Sequence, residues 1–223
     1  MSKPSFNPET LPIDSIAGEA AVPPERLRAE WLRARFSEHR PWTPESFEEP
    51  LVRMMGRPPT PAAVLMPLVL RDDAITLLLT QRTAHLNDHA GQVSLPGGRV
   101  DETDVDAVAT ALRETEEEVG LHPRHIEVLG SLPDYLTGTG FRVTPVVALV
   151  HPPFELKADP FEVAEIFEVP LAFLLDGGNH QRRSVDLPGI PGRRSFYTMP
   201  YGSHFVWGAT AGMLRNLFHF LRA

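Results

Sequence analysis

The sequence of 223 residues contains no cysteine. That excludes disulfides, thiol nucleophiles and zinc sites built on cysteine. No stretch of 18 uninterrupted apolar residues is present, so no membrane-crossing helix is expected. The first residues, MSKPSFNPET, hold no apolar targeting core. Long basic runs are missing as well: 21 Lys and Arg stand against 29 Asp and Glu, a net charge of −8. This argues against nucleic acid as the main partner. The same balance gives a polyanionic substrate no long-range attraction, so local cations, bound metal or backbone amides must meet any phosphate. What is present suits a packed core, with 42% hydrophobic and 22% charged residues. The expectation is a cytoplasmic enzyme or binding protein acting on a small molecule, with neither membrane nor nucleic acid as partner.

Residues 1–60 read as an accessory region. PPERLRAEWLRARF (23–36) spaces Leu27, Trp31, Leu32 and Phe36 as a helix would. TPESFEEPLVRMMG (43–56) predicts a second short helix, with Thr43 as N-cap and Gly56 closing it. GRPPTP (56–61) is a stiff linker, because proline fixes φ and removes donors. Beyond it, AAVLMPLVL (62–70) and AITLLLTQR (74–82) predict paired buried strands. RVTPVVALV (142–150) is another strand, and HIEVLGSL (125–132) a weaker one. From Asp104 to Val119 the residues Val108, Ala111, Leu112, Thr115 and Val119 follow the period of one amphipathic helix. VWGATAGMLRNLFHFL (206–221) predicts a C-terminal helix, while 176–200 is loop-rich with no clean period. The pattern is mixed α/β (α+β).

Glu114, Glu116, Glu117 and Glu118 crowd the end of the first long helix. At about 100° per residue, Glu114, Glu117 and Glu118 share an arc of roughly 100° beside the core stripe. They repel one another at i, i+3 and i+4, and sit where the helix dipole disfavours negative charge. A solvated acidic end is one reading. A hard divalent cation bound by carboxylate oxygens is the other. Arg113 can reach Glu117 at i+4 and hold one carboxylate in place. Upstream, LPGG (95–98) places Gly97 and Gly98 after a strand-like QVSL, permitting a tight turn and close backbone approach to a ligand.

Together these pieces resemble a Nudix box, G-x5-E-x7-R-E-U-x-E-E-x-G-U with U apolar. Gly98, Arg113-Glu114, Glu117-Glu118 and Gly120-Leu121 match it. Asp104 stands in place of the first glutamate, one extra residue precedes Arg113, and Thr115 takes an apolar position. The first two departures resemble the coenzyme A diphosphatase branch. That branch's upstream signature, roughly LLT-x-R-[SA]-x3-R-x3-G-x3-FPGG, is met by Leu78-Leu79-Thr80, Arg82, Gly91 and Pro96-Gly97-Gly98. Thr83, Asn87 and Leu95 depart from it. The resemblance covers about residues 62–220, placing a Nudix domain at 61–223 behind an N-terminal helical extension and linker at 1–60.

The resemblance implies a mixed β-sheet sandwiched between helices, with the box forming loop, helix and loop. It implies Mg²⁺ or Mn²⁺ held by Glu114 and Glu118, with Glu117 next, and a water attacking one phosphorus of a substituted diphosphate. Glu116 lies off the arc and is expected in solvent, and Asp104 is expected to cap the helix or pair with Arg113. Glu162, in ADPFEVAE, is the candidate general base, its alternative a surface acid, with Glu117 of the box the next candidate for that role. Arg82 is the candidate for a substrate phosphate, its alternative a structural ion pair. His85 and His89 are four apart but have no third zinc ligand, and read as loop residues beside the pocket. Phe205 and Trp207 read as core. The implied substrate is coenzyme A or a thioester. The rivals are ADP-ribose or a dinucleotide polyphosphate, and a non-catalytic nucleotide-sensing domain. A homodimer is an expectation from the resemblance alone.

Overall fold

The computed structural model describes residues 6–45, 56, 58–85, 91–187 and 192–223. The predicted helix at 43–56 therefore falls almost wholly outside the described residues, as do Asn87 and His89. In chain order the elements are β1 (Ser15–Ile16), α1 (Ala29–Ser37), β2 (Thr60–Leu70), β3 (Ile75–Arg82), β4 (Val93–Ser94), β5 (Gly97–Arg99) and α2 (Ala107–Val119). There follow β6 (Ile126–Ser131), β7 (Tyr135–Leu136), β8 (Phe141–Val150), β9 (Val163–Pro170), α3 (Leu171–Leu174), β10 (Gln181–Asp186), β11 (Arg193–Tyr201), β12 (His204–Trp207) and α4 (Gly208–Arg222).

The main sheet runs β4-β3-β2-β8-β6, with β5 also on β2, β7 on β8 and β9 on β3. Only the β2–β8 pairing is parallel, so the sheet is mixed. β2 reads as a continuous apolar run because both of its faces are covered. Ala63, Leu65 and Val69 face the α2 side with Ala111 and Val119. Ala62, Met66 and Leu68 join Leu214, Leu217 and Phe218 of α4. This is the expected sandwich.

Three expectations change. Residues 23–36 form no single helix: a 3-10 turn at Pro24–Leu27 precedes α1, with Arg28 extended between them. The carboxylate helix begins at Ala107 rather than Asp104, because Asp106 accepts the N-terminal hydrogen bond from the Ala109 amide. The stretch 176–200 is not loop but contains β10 and β11, part of a second sheet ordered β1-β10-β11-β12. Their arginines hid the strand pattern. Arg183 is buried, and its Nη1 donates to the carbonyls of Pro8, Glu9 and Leu11 in the N-terminal segment. That segment is also built into the core, where Val22 and Leu32 pack with α4. Among the described residues no helix is long and apolar enough to cross a membrane.

Candidate active site

Two glycines set the site's shape. Gly97 has φ 152° and lies against β2, where a Cβ would strike the Ala63 carbonyl oxygen. At Gly98 a Cβ would land on the carboxyl group of Glu114. A side chain at Gly97 would push β5 off β2, and one at Gly98 would displace the Glu114 carboxyl from the loop. At the far end of α2, Gly120 closes the helix at φ 70° and donates to the Glu116 carbonyl at 2.9 Å. The box is a loop and a helix locked together at close range.

Within this frame the four glutamates part company. Glu118 is only 4% exposed, while the side chains of Glu114, Glu116 and Glu117 are 19%, 48% and 61% exposed. Burial pushes Glu118 up to about 8, against the pull of Arg82 and of the Gly97 amide, which donates to it at 3.2 Å. Glu162 and Glu114 raise it further. Burial also raises Glu114, although Arg113 at 3.0 Å opposes the shift. Glu116 points to solvent near His122, as expected. Thr115, the polar departure from the box, is fully buried and donates its hydroxyl to the Ala111 carbonyl at 2.6 Å. The helix absorbs that hydroxyl without an unmet bond.

Arg113 does not face open space. It donates to both oxygens of Asp104 at 3.0 and 2.9 Å, to Glu117 at 3.1 Å and to the Arg99 carbonyl at 3.2 Å. These bonds hold Asp104 well below the usual carboxylate range, and Asp104 in turn accepts from the Asp101 amide and Thr110. Asp104 is thus a partner for Arg113 and not the helix cap. Arg113 also lies 3.0 Å from Glu114 and so touches two acids of the box.

Across the sheet, β3 and β9 bring Arg82 and Glu162 to the same place. The Arg82 guanidinium lies 3.5 Å from Glu118 and 3.5 Å from Glu162. The turn carrying Glu162 is pinned to the end of β3 by Thr83, whose amide donates to the Glu162 carbonyl at 2.9 Å and whose hydroxyl donates to the Phe161 carbonyl at 2.8 Å. In the sequence Thr83 stands out only as a departure from the upstream signature. Its hydroxyl, where a small residue was expected, was the available signal. His85 packs edge-on against Phe161 with ring centroids 5.0 Å apart. Phe205 lies under Arg183, and Trp207 meets Phe6 and Phe196, so both are packing residues. His204 stacks on Phe167 and His219 meets Glu45, and neither joins the box.

Among the described residues no three acidic or histidine side chains form a ready-made cation cage. The donor set still fits Mg²⁺ or Mn²⁺. A cation of this kind is held by one or two carboxylates and completes its shell with water and phosphate. Glu118 and Glu114, a turn apart, desolvated and both raised, are such a pair.

The profile for the NUDIX domain matches residues 59–186. Over 156 residues the chain is 47% identical to "Uncharacterized Nudix hydrolase NudL" of Escherichia coli (strain K12 / DH10B), covering 70% of this chain and 80% of that one. The protein of the same name in Shigella boydii serotype 18 is 46% identical over the same shares. A solved MutT/nudix family protein from Enterococcus faecalis is 18% identical, with TM-score 0.47, covering 85% of this chain and 73% of that one. By its domain match and its close relatives, this chain belongs to the Nudix hydrolase family.

Proposed function

We propose that the protein is a divalent-metal-dependent diphosphatase that cleaves coenzyme A, or its thioesters, into 3′,5′-ADP and 4′-phosphopantetheine or its acyl derivative. The observation that carries the reading is a meeting of two motifs. Arg82 and Pro96-Gly97-Gly98, which belong to the coenzyme A-type upstream signature, touch Glu118 and Glu114 of the box.

In this reading Glu118 and Glu114 hold Mg²⁺ or Mn²⁺, with Glu117 reachable from Arg113. The bound ion would neutralise phosphate oxygens and lower the pKa of a coordinated water. Glu162 takes a proton from the attacking water. The water oxygen forms a bond to one phosphorus, and the bond from that phosphorus to the bridging oxygen breaks. The electron pair leaves with the other phosphate. Arg82 offers its guanidinium to the substrate's phosphates, and the Gly97–Gly98 turn lets the substrate approach the backbone.

The 3′-phosphate tests the substrate. It separates coenzyme A from ADP-ribose and from dinucleotide polyphosphates. Because the chain is net −8, recognition of that group must come from a local cation. The enzyme should prefer coenzyme A over its 3′-dephospho form by about tenfold in kcat/KM, or ~1.4 kcal/mol. Arg82→Ala should shrink that ratio. Equal rates on both substrates would remove the 3′-phosphate from the recognition scheme.

A further inference from the structure

The site contains two arginines in opposite states. Arg113 is fixed by short bonds to Asp104, Glu117 and the Arg99 carbonyl. Arg82 has a pinned backbone and a loosely held head. Its amide donates to the Gln92 carbonyl at 3.0 Å and its carbonyl accepts from Gly91 at 3.2 Å. Its guanidinium makes only two long contacts among the described residues, 3.5 Å to Glu118 and 3.5 Å to Glu162. The β3–β9 ladder shifts register between Gln81 and Arg82. Such an irregularity turns a side chain away from its regular direction. Here it lies where that turn would bring Arg82 over the acids.

A carboxylate as buried as Glu118 ionises only against a counter-charge, and Arg82, 3.5 Å away, offsets that burial in part. Besides Arg82, the only partner found for it among the described residues is the neutral Gly97 amide. Arg113 is engaged elsewhere, and the remaining charges near Glu118 are Glu114 and Glu162, which repel it. We propose that Arg82 is the resident counter-cation of the metal-free site and cedes Glu118 to a divalent cation when one binds. Ion binding then frees the guanidinium toward the substrate phosphates, so loading the metal and arming the phosphate contact are one event. This rests on Glu118 being a metal-holding residue, as argued under the proposed function. The contacts are long, so exchanging a single charge for a double one breaks no tight bidentate pair.

The test is metal affinity without substrate, using Mn²⁺ alone as probe, read by titration calorimetry or by the electron paramagnetic resonance of free Mn²⁺. A competing internal cation predicts that Arg82→Ala and Arg82→Gln bind Mn²⁺ about tenfold more tightly than wild type. Arg82→Lys should stay near wild type because it keeps the charge. A second readout is thermal: Arg82→Gln should melt lower than wild type without metal and gain more from saturating Mn²⁺. Unchanged or weaker Mn²⁺ binding in both neutral variants would overturn the proposal and make Arg82 a strut that shapes the site. Absence of Mn²⁺ binding to the wild type would instead overturn the metal reading, and this inference with it.

Discussion

Two of the charge clusters among the described residues are built to opposite ends. One joins α4 to the N-terminal segment. Arg215, 2% exposed, donates to Glu19 at 2.8 and 3.1 Å, to Glu45 at 3.0 Å and to His180 Nδ1 at 3.0 Å. His180 is therefore the neutral tautomer that donates from Nε2, to the Leu174 carbonyl at 2.8 Å. Burial alone would raise Glu45, but hydrogen bonds from His219 and Tyr197 and the charge of Arg215 hold it at about 2. The other cluster is the box, where burial wins and Glu118 rises to about 8. A complete set of partners makes the first cluster a clamp. The incomplete set of the second fits the proposed binding of a cation and a phosphate there.

The largest effect should come from breaking the clamp. Arg215→Met leaves Glu19 and Glu45 without their shared partner, a loss of about 3 kcal/mol or more. Urea unfolding should show it as a lower midpoint, with the metal-dependent activity of the remaining folded protein intact. A wild-type midpoint would mean that the clamp is ornamental.

In the box the order reverses, with activity lost and stability kept. If Glu118 holds the metal as proposed, Glu118→Gln should reduce turnover by about a hundredfold or more, near 2.7 kcal/mol. Its melting temperature without metal should match or exceed that of wild type. Near-wild-type turnover at saturating Mn²⁺ would take Glu118 out of the metal set, and a lower melting temperature would make it a structural residue.

The smallest effect is in pH. The folded pKa of Glu118 lies above its ordinary value of 4.5, so its contribution to stability is full below 4.5 and is lost as pH rises through about 8. His180 runs the other way: its folded value of about 4 lies below 6.5, so its contribution is intact above 6.5 and lost as pH falls through 4. The stability advantage of metal-free Glu118→Gln over wild type should widen from pH 5 to pH 8, by no more than about 1.4 kcal/mol per pH unit. Saturating Mn²⁺ should close the gap. A gap independent of pH would mean that Glu118 is not the group being protonated.

The same contrast explains what the sequence disclosed. The box was legible because its residues follow each other on one helix, where spacing alone sets direction. So were β2, β3 and β8, whose apolar runs follow from burial on both faces. The clamp was not, since Glu19, Glu45, His180 and Arg215 lie far apart in the chain and no local period links them. β10 was hidden for a related reason, as the Arg183 guanidinium meets carbonyls roughly 170 residues away. Within the site, helical geometry placed Glu114, Glu117 and Glu118 on one arc. It could not tell that the sheet would bury Glu118 and leave Glu117 in solvent. Nor could spacing reveal the register shift at Arg82.

The account stands on one reaction. Purified protein should be incubated with Mg²⁺ or Mn²⁺ and, separately, coenzyme A, ADP-ribose and a dinucleotide polyphosphate, and the products separated by chromatography. Coenzyme A should be cleaved fastest, giving 3′,5′-ADP and 4′-phosphopantetheine in equal amounts, and Glu118→Gln should slow their formation by about a hundredfold or more. Faster cleavage of ADP-ribose or of the dinucleotide, or no metal-dependent cleavage of coenzyme A, would contradict it.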